Sequence, residues 1–311
     1  MSSSNSILII QYRHFNWFTA SPSGKIRLSM KRSNLTNEYI IKQAIAEDQA
    51  SKDVTTAILI PDNQYGTATI TAKSMGIVAG TEVAGDVFLT VDSELQVEIC
   101  LKDGTAIKPG DIIAKLKGRI ASILKAERIA LNFLQHLSGI ATETSYYVEA
   151  IKGLPTKITD TRKTLPGLRI LEKQAVLAGG GKNHRMNLED GILIKDNHIA
   201  ALYQQGLNIK EIVSKARKNN RFNLPIEIEV KNLEEAAQAA DAKADIILLD
   251  NMNIDELRKA VQLINGRSIT EASGGVNLNT VRAIAETGVD YISIGAITHS
   301  SKALDISLNL D

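Results

Sequence analysis

Between residues 160 and 199 the chain carries Arg162, Lys163, Arg169, Lys173, Lys182, Arg185 and Lys195, with His184 and His198 among them. An arginine fork grips carboxylate or phosphate oxygens two at a time, and a lysine adds a point charge. Cations gathered this densely repel one another unless a multiply charged anion sits among them. The segment opens on DTRKTLPGLR, in which Asp160, Thr161, Arg162 and Lys163 lead into a Pro-Gly turn. Arg169 and Lys173 also suit a solvated helix face, paired with Glu172. A second cluster, Gly179-Gly180-Gly181-Lys182-Asn183-His184-Arg185, offers backbone amides that can approach an anion closely. It lacks the Gly, Lys and Ser/Thr spacing of a nucleotide-binding P-loop.

Acids complement these cations. Glu227 and Glu229 are two apart in an apolar run, so on a strand they share one face. Burial there would be costly without a partner. Lysines from neighbouring strands, or a hydrated Mg²⁺ held by one or two carboxylates, would supply one. Asp250, closing the next apolar run, is placed to join them, and Glu271 is a further candidate. Ser273-Gly274-Gly275 and Ile294-Gly295-Ala296 follow later runs, as phosphate seats do when backbone amides at a helix start receive a sugar 5-phosphate. An ordinary tight turn would look the same. The whole set fits two substrates: a small polycarboxylate and a phosphorylated sugar with a metal-bound pyrophosphate.

The elements that must position these residues can be read from periodicity. Residues 35–50 predict a helix capped by Thr36 or Asn37. Alternation over 66–73 and 94–101, with a Lys108-Pro109-Gly110-Asp111 turn, makes a small α+β unit. A long helical stretch from Arg119 to about Ile151 buries Ile120, Ile123, Leu124, Leu131 and Leu134. Ser138-Gly139 is a candidate break, and Arg128 sits at the stripe's edge. Then the rhythm changes. Apolar runs at 157–161, 191–196, 226–230, 244–250, 268–273 and 290–295 have helical patterns between several of them, including 233–240 and 254–264. This is the signature of parallel βα units, and without a dinucleotide glycine fingerprint a barrel is favoured over an open doubly wound sheet. Nearly every run ends on a polar residue: Asp160-Thr161-Arg162, Lys195-Asp196, Glu229, Asp250, Ser273 and Gly295. In a βα barrel those ends ring the mouth where chemistry is done.

Bulk properties exclude other classes. The 311 residues carry a formal charge of +1 and are 44% hydrophobic, so a nucleic-acid partner is not indicated. A single cysteine, Cys100, permits neither an internal disulfide nor a cysteine-based metal site, and a reducing cytoplasm fits. No apolar run reaches the roughly 20 residues needed to cross a bilayer. The first 34 residues have aromatics, serines and cations but no acid, a composition shared with transit peptides. An unstructured or partly ordered extension, or an upstream start with Met30 as the working one, is the reading adopted here.

The runs DTRKTLPGLR, GGGKNHRMNLEDGILIKDNHI, EIEV, ILLDNM, EASGG and ETGVDYISIGAITHS, with ERIALNFLQHLSGIAT at 127–142, resemble those of the quinolinate phosphoribosyltransferase family from about residue 35 onward. The resemblance implies an N-terminal open-faced α/β sandwich over 35–142, including the long linking helix. It implies an irregular, incomplete α/β barrel over 143–297 and a segment 298–311 that packs back on the first domain. The implied reaction joins quinolinate to phosphoribosyl pyrophosphate with Mg²⁺, giving nicotinate mononucleotide, CO₂ and pyrophosphate in NAD biosynthesis. By the same resemblance Thr161, Arg162, Lys163, His184, Arg185 and Lys195 line the substrate pocket. Glu229 and Asp250 address the ribose and the metal, directly or through water. Ser273, Gly274, Gly275, Ile294, Gly295 and Ala296 hold the 5-phosphate. Lys163, Lys195, Glu229 and Asp250 carry the catalysis. The protein is expected to be a homodimer or higher oligomer, with Arg128 reaching into the partner's site. Two departures stand out: Lys52 replaces a family glycine in the 50–56 segment, and Gln174 replaces an aromatic.

Overall fold

The two larger sheets, one antiparallel and one parallel, are joined by a single long helix. The computed structural model describes residues 26–311, with side chains from residue 37. The extension expected over 1–34 thus lies outside the described residues up to residue 25. The amino-terminal elements are α1 (Ile26–Glu47), α2 (Val54–Leu59), β1 (Tyr65–Ala72), β2 (Gly76–Ile77), α3 (Thr81–Val91), β3 (Gln96–Ile99), β4 (Ala106–Ile107), β5 (Ile112–Arg119) and α4 (Ile120–Ala150). Helix α1 begins well before Thr36 and Asn37, so neither caps it.

The remaining elements are β6 (Lys157–Thr159), α5 (Arg169–Ala178), β7 (Ile192–Ile194), α6 (Asp196–Tyr203), α7 (Ile209–Asn219), β8 (Ile226–Val230), α8 (Leu233–Asp241), β9 (Ile246–Asp250), α9 (Ile254–Ile264), β10 (Ile269–Ser273), α10 (Val281–Ala285), β11 (Tyr291–Ser293), α11 (Ala296–His299) and β12 (Ile306–Leu310). The expected boundary at 142/143 falls inside α4, and that at 297/298 inside α11.

The antiparallel sheet has the order β12-β1-β5-β3. Along β1, Ala68, Ile70 and Ala72 are buried while Thr67, Thr69 and Thr71 face outward, the period-2 pattern of a sheet with one covered face. Phe88 and Val87 of α3 and Ile123 and Leu134 of α4 belong to the same core as Ile70, Ile113 and Leu116. Strand β12 returns from the carboxyl end to pair with β1, Ile70 opposite Leu308.

Helix α4 runs unbroken through Ser138-Gly139. Its buried residues recur every three or four positions, from Ile123 through Ala126, Ala130 and Leu134 to Leu137 and Ala141. Local propensity at the Ser-Gly pair yields to packing. The Ser138 hydroxyl accepts from the Ala79 backbone N–H at 3.0 Å, and any Cβ on Gly139 would collide with the Lys302 carbonyl. Glycine is there for close approach, not flexibility.

The parallel sheet has the order β6-β11-β10-β9-β8-β7, extended past β6 by a single bridge from Thr159 to Lys182. It curves as an incomplete barrel. Asn208, Asn232 and Asn253 cap α7, α8 and α9 by accepting from the backbone N–H groups of Glu211, Glu235 and Glu256 at 2.9–3.0 Å. Ile226, Ile228, Val230, Ile247, Leu249 and Ile292 belong to the core on the helix side. Alternation sends Glu227, Glu229, Leu248, Asp250, Glu271 and Ser273 to the opposite, inner face.

Candidate functional site

Strand register assembles the site. Thr159, Ser293, Ser273 and Asp250 are successive partners across β6, β11, β10 and β9, so the polar ends expected from the sequence lie on one rim. On the other side Ile194 pairs with Ile228, which puts Lys195 beside Glu229. Thr161, Arg162 and Lys163 leave the rim just past Thr159. The Lys163 backbone N–H donates to Thr161 Oγ1 at 3.0 Å, and its carbonyl accepts from Thr298 Oγ1 at 2.7 Å. The Lys163 stem runs across Gly295, where an added Cβ would lie 2.9 Å from its Cδ. Ile294 is buried beneath, and Gly295 and Ala296 open α11. At Gly274 the backbone φ is +96°, and a side chain would strike Asn251; Gly275 continues the turn at +62°. These residues converge on the rim. Arg128 stands apart, exposed on α4.

Arg162 and Arg185 are the site's densest charge. Arg185 is buried and Arg162 half-buried. Burial weakens the hold of each on its proton, and a second cation adds to this: Arg169 for Arg162, and Arg162 for Arg185. Arg185 Nη1 donates to the Gly191 carbonyl at 3.1 Å, but the buried Nε of each arginine has no hydrogen-bond partner. Two neighbouring guanidinium groups with buried donors left over are arranged for an anion.

Glu229 and Asp250 form the opposite pole. Burial raises the Glu229 pKa, the Asp250 charge raises it further, and Lys195 opposes both. Two adjacent carboxylates that repel one another supply the hard oxygen donors a Mg²⁺ ion prefers, so the donor set fits such an ion.

Below the rim, His184 meets both buried glutamates; its Nε2 lies 3.3 Å from Glu227 Oε2 and 3.5 Å from Glu271 Oε1. The partner anticipated for Glu227 was a lysine or Mg²⁺, and the structure supplies this histidine. Burial opposes charge on His184, but Glu271 and Glu227 outweigh it and raise its pKa to about 10. Burial and then Glu271 raise Glu227. His184 Nδ1 faces the Arg185 backbone N–H at 2.9 Å, which leaves Nε2–H to face the two glutamates. These three residues are the set among the described residues whose ligand atoms lie close enough for a shared metal, within 4.8 Å. With Nδ1 accepting, Nε2 carries hydrogen, and a metal there would have to displace it.

The solvated placement considered for Arg169 and Lys173 does not hold. Arg169 Nε donates to Thr164 Oγ1 at 3.0 Å and Nη1 to the Met186 carbonyl at 3.3 Å. Lys173 is fully buried and ion-paired with Asp160, and its Nζ also donates to the His184 carbonyl at 3.0 Å. Glu172, equally buried, pairs with His136 on α4 at 2.9 Å rather than with either cation. The signal was available: Leu171, Ala175 and Val176 set the buried stripe of α5, and Lys173 lies three residues before Val176.

The fold and site define a class: an α/β-barrel protein with cations on one side and carboxylates on the other side of the rim at the carboxyl ends of its strands. More narrowly, the chain belongs to the quinolinate phosphoribosyltransferase family. The family's N-terminal domain matches residues 53–138 and its C-terminal domain residues 140–309. The chain is 43% identical over 288 residues to "Quinolinate phosphoribosyltransferase [decarboxylating] 2b, mitochondrial" of Nicotiana tabacum, covering 88% of this chain and 81% of that protein. It is 42% identical over 278 residues to the "Probable nicotinate-nucleotide pyrophosphorylase [carboxylating]" of Bacillus subtilis, covering 89% and 94%. The crystal structure of NadC from Streptococcus pyogenes superposes with a TM-score of 0.84 at 41% identity, covering 89% of this chain and 98% of that one.

Proposed function

We propose that this protein transfers the phosphoribosyl group of phosphoribosyl pyrophosphate to quinolinate with loss of CO₂, forming nicotinate mononucleotide and pyrophosphate. The observation that carries this reading is the pair Arg162 and Arg185, near enough that the Arg162 charge loosens the Arg185 proton, and each with a buried Nε that has no partner. Two forks suit two carboxylates on one small ring.

Arg162 and Arg185, with Thr161, Lys163 and Lys195 near them, bind the dicarboxylate and aim its ring nitrogen at ribose C1, a proximity effect. The Ser273-Gly274-Gly275 turn and Ile294-Gly295-Ala296 receive the 5-phosphate. Glu229 and Asp250 accept from the ribose hydroxyls and stabilise positive charge building at C1. They would also hold Mg²⁺, which supplies charge neutralisation for pyrophosphate. The ring nitrogen forms its bond to C1 as the C1–oxygen bond breaks, its electron pair leaving with pyrophosphate. The resulting pyridinium draws in the electron pair of the adjacent C–carboxylate bond, CO₂ departs, and the carbon takes a proton from water, so no dedicated acid is needed. His184 supports the floor beneath Arg185.

A homodimer completes the site. Arg128 is exposed, and Val54, Ile58 and Leu59 of α2 present apolar side chains 68–80% exposed, a surface suited to a second copy. The reducing cytoplasm suits the exposed Cys100, and no described helix is long and apolar enough to cross a membrane. Incubation with quinolinate carboxyl-labelled at the position ortho to nitrogen, phosphoribosyl pyrophosphate and Mg²⁺ tests the reaction. Nicotinate mononucleotide and labelled CO₂ should appear in equal amounts. Nucleotide formed from nicotinate, without CO₂, would refute it.

A further inference from the structure

Helix α5 holds two consecutive buried charges that the reaction itself does not use. Lys173 reaches Asp160, which immediately precedes the Thr161-Arg162-Lys163 loop, and the carbonyl of His184, which immediately precedes Arg185. Asp160 Oδ1 also accepts from the His184 backbone N–H at 2.8 Å. Asn183, with its amide turned to satisfy both ends, donates to Asp160 Oδ2 at 2.7 Å and to the Lys173 carbonyl at 2.9 Å. The backbone joins in, Asp160 N–H donating to the Lys182 carbonyl at 3.1 Å. The far end of the arginine loop returns to the same helix, where the Leu165 backbone N–H meets the Glu172 carboxylate at 3.3 Å.

An ion pair removed from water gives little net stability over apolar side chains of the same volume, so stability is a poor reason for placing one here. Geometry is a better one. A single ammonium is bonded to the roots of both segments that carry the site's two buried guanidinium groups. A polar knot in which every member is satisfied admits one arrangement.

We propose that Lys173 is a positioning residue: it fixes the spacing of Arg162 and Arg185, and so tunes the site to the separation of two carboxylates on one ring. The inference rests on the dicarboxylate reading above. Lys173 touches no substrate; it acts through the two loops. The phosphate turns after β10 and β11 are not bonded to it, so its loss should divide the two substrates.

The test compares Lys173→Met with the double variant Lys173→Met/Asp160→Asn in steady-state assays of quinolinate and phosphoribosyl pyrophosphate, alongside thermal melting. The single variant leaves Asp160 buried without its counter-ion and should lose stability. The double variant removes both charges, keeps an acceptor for the His184 N–H, and should melt near wild type. In both, KM for quinolinate should rise by up to about 100-fold while KM for phosphoribosyl pyrophosphate moves less than about threefold. A double variant with wild-type KM for quinolinate, or equal rises for both substrates, overturns the positioning role alone. A wild-type protein that does not turn over quinolinate overturns the functional reading, and this inference with it.

Discussion

Arginines in the two halves of the molecule live in opposite settings. Arg119, at the end of β5, is paired: it meets Asp92 at 2.9 and 3.0 Å and Glu94 at 3.2 Å. Hydrogen bonding from Arg119 outweighs the burial of Asp92, and with help from Ser122 it holds that carboxyl far below the usual range. Arg162 and Arg185, at the barrel mouth, face other cations, and each keeps a buried donor unmatched. The arginine bonded to its own carboxylates holds structure together. The arginines left short of acceptors are the ones that the proposed reaction gives to an incoming anion.

This contrast can be broken by substitution. Arg162→Ala should lower kcat/KM for quinolinate by about 100- to 1000-fold, as loss of a charge-stabilising donor does. Its thermal midpoint should stay level or rise, since a repelled cation is removed. A variant that unfolds instead would make Arg162 structural. Asp92→Asn should do the reverse, costing about 2 kcal/mol in urea denaturation with kcat/KM unchanged. The pH dependence sharpens the point. The folded-state pKa of Asp92 is depressed, so its stabilisation is complete above the unfolded value of about 4 and is lost as pH falls below it. The stability gap between wild type and Asp92→Asn should therefore close on acidification. The mildest change, Ser122→Ala, removes the 2.7 Å hydrogen bond from Ser122 Oγ to Asp92 Oδ2 and should cost about 1 kcal/mol, again without touching activity.

What could be read from the sequence follows the same division. The barrel strands were legible because each is a short apolar run closed by a polar residue: 226–230 and the helix 254–264 coincide with β8 and α9. The rim followed from those ends. The amino-terminal half was harder. Strand β5 puts Lys115 and Lys117 on its open face between buried Ile113, Leu116 and Gly118, and it is absent from the elements read from periodicity. Helix α3 follows Gly80, a residue in the left-handed region whose role shows only when the Leu137 side chain is seen against it. The buried charges were least visible of all. Lys173, Glu172 and Asp160 look solvated to any rule based on polarity, because what makes their burial tolerable is partners distant in the chain.

The pairing of β12 with β1 carries a consequence for biosynthesis. Residues 306–310 are translated after the entire barrel, yet they cover the edge of a sheet whose other strands left the ribosome long before. Until then β1 presents an unpaired backbone edge to the crowded interior of the cell, where nascent chains are most prone to stray association. The earliest-made half of this protein must wait for the last-made strand to be sealed.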